Sequence, residues 1–442
     1  MSMANAFELG RVDLTESERA LIDRRNRLLG PAYRLFYDRP LHFVCGEGVW
    51  LYGADGTRFL DVYNNVAVVG HSHPRVVAAL TQQAAILNTH TRYLHEGILD
   101  YAEALLATLP AELGHMLFTC TGSESNDLAY RLAKEHTGGT GFIVTELAYH
   151  GGTNAIAELS PSLGKHVALG THVRTVRAPD NYRRGDRDIS ETFAKDVYDA
   201  IADLRRHGIR PAALLVDSIF ASDGVFSDPP GFLREAVKEI RDAGGVYIAD
   251  EVQAGFARTG DRMWGFERHG VVPDIVTMGK PMGAGYPMAG VAVRPAVVQE
   301  FSHSRYFNTF GGNPVAAAVG LAVLNVIRSE GLQDNASVVG AYLRDRLSEL
   351  GNRHEVIGDV RGAGLFIGLE LVSDRTTKAA APELTARVVN ELRMRRVLIS
   401  SCGPFANVLK IRPPLVFSKE NADQFLAAFE EVLEAIQLPR GR

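Results

Sequence analysis

From about Leu99 onward, stretches with helical spacing alternate with short, unbroken apolar runs, and no other feature of this 442-residue chain limits its fold as strongly. Asp100 to Thr108 reads as helix and His115 to Cys120 as strand; Asn126 to His136 is helical and Gly141 to Thr145 strand-like. The pattern recurs as Ile201 to His207 before Ala212 to Val216, and Phe232 to Ala243 before Gly245 to Ala249, with a further strand at Ile275 to Met278. Helices alternating with strands that lack a polar face argue for a mostly parallel α/β sheet covered on both sides.

The flanks differ in texture. The first forty residues are Arg-rich and of mixed polarity, an N-terminal arm with one helix from Glu16 to Leu28. Strand-like pieces at Gly48 to Tyr52 and Phe59 to Val62 flank Asp55-Gly56, a hairpin signal. A helix opens at Asn313-Pro314, with Asn as cap and Pro in the first turn, and runs to Arg328. Beyond it Val338 to Leu350, Leu384 to Arg395 and Asn421 to Ile436 read as helices, and Leu365 to Leu371 and Leu409 to Arg412 as strands. This is the α+β texture of a second domain.

Charge excludes one class of partner. Lys plus Arg number 47 and Asp plus Glu 52, a net charge of −5 without a basic stripe, so nucleic acid is not expected. Cys45, Cys120 and Cys402 are far apart and form no CxxC pair, which argues against a disulfide framework or zinc ribbon and for a reducing compartment. The N-terminus lacks the apolar core of a secretory signal, and the longest apolar stretch, Val315 to Ile327, contains Gly320 and Asn325 and is too short for a bilayer. The expectation is a soluble cytoplasmic protein with no membrane or nucleic-acid partner.

Several motif-like runs do not carry chemistry. Gly362 to Gly368 has its last glycine one residue too far for a dinucleotide fingerprint and leads into a strand. Gly279-Lys280 is followed by Pro281, so no P-loop forms. His71-Ser72-His73 sits in a turn that opens a helix, and His95-Glu96 has no second His four residues on, so no metal site is expected.

Three other features converge. Thr121-Gly122-Ser123-Glu124-Ser125-Asn126 follows a strand and precedes a helix, where free backbone N–H groups and the helix dipole suit a phosphate. Asp250-Glu251 ends the strand from Gly245, at the carboxyl edge where parallel sheets bind ligands. Lys280 follows Ile275 to Met278 in an apolar, Gly-rich loop; a partly desolvated lysine there has a lowered pKa and becomes a nucleophile and Schiff-base former. Phosphate cradle, strand-end carboxylate and lysine together are what pyridoxal phosphate requires, with the acid keeping the pyridine nitrogen protonated. Tyr149, after the strand Gly141 to Thr145, supplies an aromatic that can stack on the ring.

With these residues in view, the sequence resembles the class III (ω-type) aminotransferases, fold-type-I pyridoxal-phosphate enzymes. The matching runs are Gly70 to Pro74, Thr121 to Asn126, Tyr149-His150-Gly151, Ile248 to Phe256, Gly279-Lys280 and Phe310 to Pro314. The resemblance implies Lys280 as the Schiff-base lysine and Asp250 on the pyridine nitrogen. It implies Gly122 and Ser123 on the cofactor phosphate, Tyr149 and Val252 on the two ring faces, and Gln253 near the ring hydroxyl. Thr309 would reach the phosphate held by the partner subunit, which implies a homodimer, or a dimer of such dimers, with active sites at the interface. The implied architecture is an arm and small-domain segment over 1–68, a large cofactor domain with a seven-stranded, mostly parallel sheet over 69–314, and a C-terminal small domain over 315–442. The N- and C-terminal segments together would build the smaller α+β domain.

A closer similarity is to the ethanolamine-phosphate phospho-lyases, carried by Asn64 to Ala67, Asn88 to His95, Met278 to Gly283 and Gly403 to Pro414. Aminotransferases usually read Glu-Pro, and the lyases Glu-Ser, where this chain reads Asp217-Ser218; Ser matches the lyases and Asp departs from both, as does Phe220 to Gly224. The expected activity is elimination of phosphate from a small phosphorylated amine such as O-phosphoethanolamine. The alternatives are an ω-aminotransferase that passes an amine to pyruvate or another keto acid, and a catalytically inactive interaction protein, which the presence of both Lys280 and Asp250 opposes. A substrate phosphate needs cations, and Arg34, Arg92 and Arg412 are the candidates; in aminotransferases Arg412 would hold a substrate carboxylate.

Overall fold

The computed structural model describes residues 5–185 and 188–437. Its centre is a seven-stranded sheet whose strands we number in chain order: β1 (His115–Thr119), β2 (Gly141–Thr145), β3 (Val173–Val176), β4 (Pro211–Asp217), β5 (Val246–Asp250), β6 (Ile275–Met278) and β7 (Ala289–Val293). Their spatial order is β1-β7-β6-β5-β4-β2-β3, and all pairings are parallel except those made by β7. Every residue of β2, β5, β6 and β7 is buried, which is why these segments read as apolar runs with no polar face.

Two strands escape the sequence reading. β3 is Val-Arg-Thr-Val at the sheet edge, with a half-polar pattern that resembles a loop. β7 is Ala-Gly-Val-Ala-Val, in which Ala and Gly dilute the strand propensity of the two valines, wedged between β1 and β6. Gly290 leaves room there for the end of the Met116 side chain, which a Cβ would displace. The helix expected at Ile201 is also longer, Ile189–Arg206, and starts from the side-chain cap of Asp188.

Flanking segments from both ends of the chain interlock. The strands Phe43–Glu47, Trp50–Gly53 and Arg58–Asp61 form an antiparallel meander, turned at Asp55-Gly56, and Val397–Leu398 adds in parallel beside the last of them. The Tyr37 hydroxyl donates to the Ile399 carbonyl at 3.1 Å and accepts from the Ile399 N–H at 3.2 Å, tying the arm to the far end of the sequence. A second antiparallel sheet comprises Ile357–Ala363, Phe366–Asp374, Val408–Ile411 and Ser400–Cys402. Leu332–Arg353, Pro382–Met394 and Lys419–Gln437 are its long helices. Among the described residues no single helix is long and apolar enough to cross a membrane, and no cluster of three or more His, Cys, Asp or Glu is placed to hold a metal. His71 and His73 point to Asp61 and Glu330 instead.

The Leu332–Arg353 helix approaches the Gly364 turn so closely that a Cβ at Gly340 would sit inside the Gly364 carbonyl group. Gly340→Ala should therefore lose about 1–3 kcal/mol to overpacking, more than helix propensity returns. Gly351→Ala in the same helix meets only ordinary contact, 3.4 Å from Ile357, and should be neutral or stabilising by up to about 1 kcal/mol. Urea unfolding midpoints of the two variants check the contrast.

Candidate active site

The carboxyl ends of β4, β5 and β6 and the helix after β1 converge on one cleft. Gly122, Ser123, Asn126, Tyr149, His150, Gly151, Asp217, Asp250, Val252, Gln253 and Lys280 line about 460 Å3 of open space. The helix Gly122–Thr137 begins at Thr121, whose hydroxyl accepts from the Glu124 N–H at 3.2 Å, so the Gly122 and Ser123 N–H groups face the cleft without intrahelical partners. A Cβ at Gly122 would sit tightly, 3.0 Å from the Val252 side chain, and glycine is needed at 151, where φ is +145° and a Cβ would lie 2.6 Å from the Ser123 hydroxyl. The Ser123 hydroxyl accepts from the Gly152 N–H at 3.1 Å and closes this rim.

Asp250 ends β5 and is buried. One carboxylate oxygen is 2.8 Å from His150 Nδ1 and accepts from the Asn126 amide at 3.0 Å; the other accepts from the Val252 N–H at 3.0 Å. Asn126 is itself fixed, donating to the His150 carbonyl at 2.7 Å and accepting from the Thr277 hydroxyl at 2.7 Å. Asn126 and His150 therefore aim the carboxylate, a role that sequence reasoning did not give them although both stood inside the motif runs. Among the described residues His150 Nε2 is buried with no hydrogen-bond partner.

Lys280 opens a single 3-10 turn at φ +31°. Burial, with help from the Arg412 charge and against the pull of Asp250 and Asp217, lowers its ammonium to about 8. Asp217 lies directly opposite Asp250 in the β4–β5 register. Burial and then the neighbouring Asp250 charge push it up to about 6, while its oxygens accept from the Ile219 and Ala221 N–H groups at 3.0 and 3.1 Å. Ser218 turns away from the cleft and donates to Glu251, which also accepts from the Gly265 and Phe266 N–H groups at 2.7 and 2.8 Å.

Of the other residues singled out in the sequence, Arg412 reaches the site: it is buried, donates to the Gln253 side chain and lies 4.4 Å over the Tyr63 ring. Arg34, Arg92 and Thr309 are exposed on this chain and do not join the cleft; Arg92 rests 3.8 Å over the Phe307 ring. The donor set fits pyridoxal phosphate: an N–H and hydroxyl rim sized by two glycines for a phosphate, a buried anion for a ring N–H, and an amine of lowered pKa between them.

Comparison with known proteins agrees. The aminotransferase class III family model matches residues 37–433. A solved phospholyase from Arthrobacter, in complex with phosphoethanolamine, superposes with a TM-score of 0.91 at 43% identity over 95% of this chain and 100% of that one. The alanine–glyoxylate aminotransferase 2-like protein of Drosophila melanogaster is 40% identical over 438 residues, 96% of this chain and 89% of that relative. The ethanolamine-phosphate phospho-lyase homolog 1 of Caenorhabditis elegans is 35% identical over 438 residues, 94% of each chain.

The lysine sets a pH dependence. Only the neutral amine attacks an aldehyde, so uptake of pyridoxal 5′-phosphate by the apo chain, followed by absorbance, should quicken as pH rises through about 8 and level off above it. A lysine at the ordinary value would not level until pH passes 10.5. Lys280→Ala should still take up the cofactor through the rim but release it on dialysis, with turnover lost.

Proposed function

Because the chain belongs to the class III aminotransferase family and is a pyridoxal 5′-phosphate-dependent enzyme, we propose that it is a phospho-lyase acting on a small phosphorylated amine such as O-phosphoethanolamine. The observation that carries this reading is the likeness to the Arthrobacter phospholyase, at 43% identity over nearly the whole of both chains. The Ser at position 218 fits it: the hydroxyl is used to anchor the buried Glu251, a bond the proline of the aminotransferase pattern could not make.

In this reading the Gly122 and Ser123 rim would hold the cofactor phosphate, Asp250 the ring nitrogen, and Val252 and Tyr149 the ring. When bound, the cofactor supplies an electron sink for the charge left on a carbon as its proton departs. Lys280 takes that proton onto Nζ from the carbon bearing the substrate nitrogen, and its lowered pKa keeps a usable fraction as free amine near neutral pH. His150 and Asn126 keep the Asp250 carboxylate aimed while this happens. With phosphate on the next carbon, its departure completes an elimination, and water divides the remainder into acetaldehyde and ammonia. Arg412, on the Gln253 side of the cleft, contributes to holding the substrate anion.

A second reading is an aminotransferase. It is favoured by the 40% identity to the Drosophila alanine–glyoxylate aminotransferase 2-like protein. The two share the proton transfer at Lys280 and differ in whether the substrate carries a leaving group. We further propose a homodimer. Exposed Tyr93, Leu94, Phe307 and Phe310 surround Arg92 and Thr309, an apolar patch that a second copy would cover while bringing Thr309 to its partner's site.

Phosphoethanolamine alone should yield phosphate, acetaldehyde and ammonia in equal amounts with no keto acid present. Alanine formation from an amine and pyruvate at a brisk rate, with phosphate release at background, would reverse the ranking. Asp250→Asn, assayed at saturating cofactor, should retain the fold and lose roughly 100- to 1,000-fold in turnover.

A further inference from the structure

Each buried carboxylate beside the cleft has its partners. Asp250 has His150 and Asn126, Asp217 two backbone N–H groups, and Asp223 the Thr145 hydroxyl at 2.8 Å. Glu370, across the sheet from Val408, is held by Arg183, Arg361 and Asn407. The cations on that side are not balanced in the same way. Lys410 is only 7% exposed, its ammonium keeps an opening to solvent, and among the described residues it has no hydrogen bond and no carboxylate within ion-pair distance. Arg412 is 8% exposed; it donates to Gln253 but leaves its Nε buried without an acceptor. Behind it Arg258, 1% exposed, donates to the Leu365 and Pro413 carbonyls and keeps one amino group unpaired.

Lys410 and Arg412 are alternate residues at the end of the Val408–Ile411 strand and so project to one side. Lys410 faces Ser400 across the sheet, and Arg412 covers Tyr63. Both charges are felt at the same two places. Burial raises the Tyr63 phenol, yet Arg412 and then Lys410 outweigh it and leave it lowered. Both also depress Lys280, whose ammonium lines the cleft. An ammonium open to solvent beside a largely buried guanidinium, with no carboxylate of the described residues between them, is a pair of like charges that an anion arriving from solvent would bridge. Two cations match a dianion, whereas a carboxylate substrate would leave one of them unpaired.

We propose that Lys410 and Arg412 form a two-cation subsite for the phosphate group of the substrate, in place of the exposed Arg34 and Arg92. The identity of the anion rests on the phospho-lyase reading; the existence of the subsite rests on two adjacent cations that no carboxylate among the described residues pairs. Lys410 binds the phosphate oxygens as a point charge, and Arg412 adds directional N–H donors from the Gln253 side.

The test titrates the holoenzyme with inorganic phosphate, reads thermal unfolding and inhibition, and compares Lys410→Met, Lys410→Arg and Arg92→Ala. Phosphate should raise the unfolding temperature of the unaltered enzyme and compete with phosphoethanolamine. Lys410→Met should weaken phosphate binding and raise the KM for phosphoethanolamine about 10- to 100-fold, with the absorbance of the bound cofactor retained. Lys410→Arg should restore most of the affinity. Without phosphate, Lys410→Met should be at least as heat-stable as the unaltered enzyme, because the charge it removes has no partner; a structural lysine would give the opposite. Unchanged phosphate binding in Lys410→Met, or its loss in Arg92→Ala instead, overturns the subsite. If the unaltered enzyme binds phosphate through Lys410 but frees none from phosphoethanolamine, the subsite stands and the lyase reading fails. If it frees phosphate and Lys410→Met does so with an unaltered KM, the lyase reading stands and the subsite fails.

Discussion

A carboxylate held in a buried position at the carboxyl end of a central parallel strand is the constraint around which the rest of this molecule is arranged. Asp250 is costly there unless each of its oxygens is hydrogen-bonded. The three groups that do this come from three separate parts of the chain: Asn126 from the helix after β1, His150 from the loop after β2, and the N–H of Val252 from the residues just beyond β5. Thr277 at the end of β6 then fixes Asn126. The observed strand order, with β5 beside β6 and the elements after β1 and β2 reaching the same edge, is what brings these partners to one carboxylate.

Electrostatics in the cleft follow from burial more than from any single pair. Asp217, Asp223 and Glu251 are all raised, to about 6, 7 and 7, with burial the leading cause in each, while Lys280 is lowered to about 8 for the same reason. Burial disfavours charge of either sign, so carboxylates drift up and amines down toward neutrality. Asp250 differs from its neighbours in its partners: an imidazole and an amide face its oxygens, whereas Asp217 and Glu251 lean chiefly on backbone N–H groups. One fold thereby lines one cleft with an amine of lowered pKa and a carboxylate whose oxygens are fixed in place.

The sequence makes legible what is local and hides what is assembled. Lys280, Asp250 and the Gly122-Ser123 turn sit in runs whose spacing alone points to strand ends and a helix start, and the structure gathers them at one cleft. β3 and β7 escape because edge position and small side chains remove the apolar signature from one and the strand propensity from the other. The aiming roles of Asn126 and His150 depend on contacts across 124 and 100 residues, which no periodicity records. Lys410 is the clearest case. In Leu409-Lys410-Ile411-Arg412 it has the alternation of a half-exposed strand, and that pattern places its charge in water. Only the packing of Phe366–Asp374, Ser400–Cys402 and the Tyr63 segment around the strand shows how little of this lysine is left exposed.

That enclosure bears on how one scaffold can serve two reactions. The cofactor-facing wall is built from the large sheet, and nothing in it depends on what the substrate carries beyond its amine. Arg412, Lys410 and Tyr63 come instead from segments that flank the large sheet in the sequence and fold against each other, joined where the Arg412 N–H donates to the Val62 carbonyl at 2.9 Å. Proton abstraction at the amine-bearing carbon can therefore stay fixed while the charge on the opposite wall is changed by one or two substitutions in a short strand. Whether the carbanion is reprotonated or expels its neighbour is then decided by which substrate the flanking segments admit. A dianionic leaving group held by two buried cations is stabilised as its bond to carbon breaks, because the charge that develops on it is already matched in a low-dielectric wall. Specificity for the phosphorylated amine and assistance to its elimination are, on this view, the same interaction.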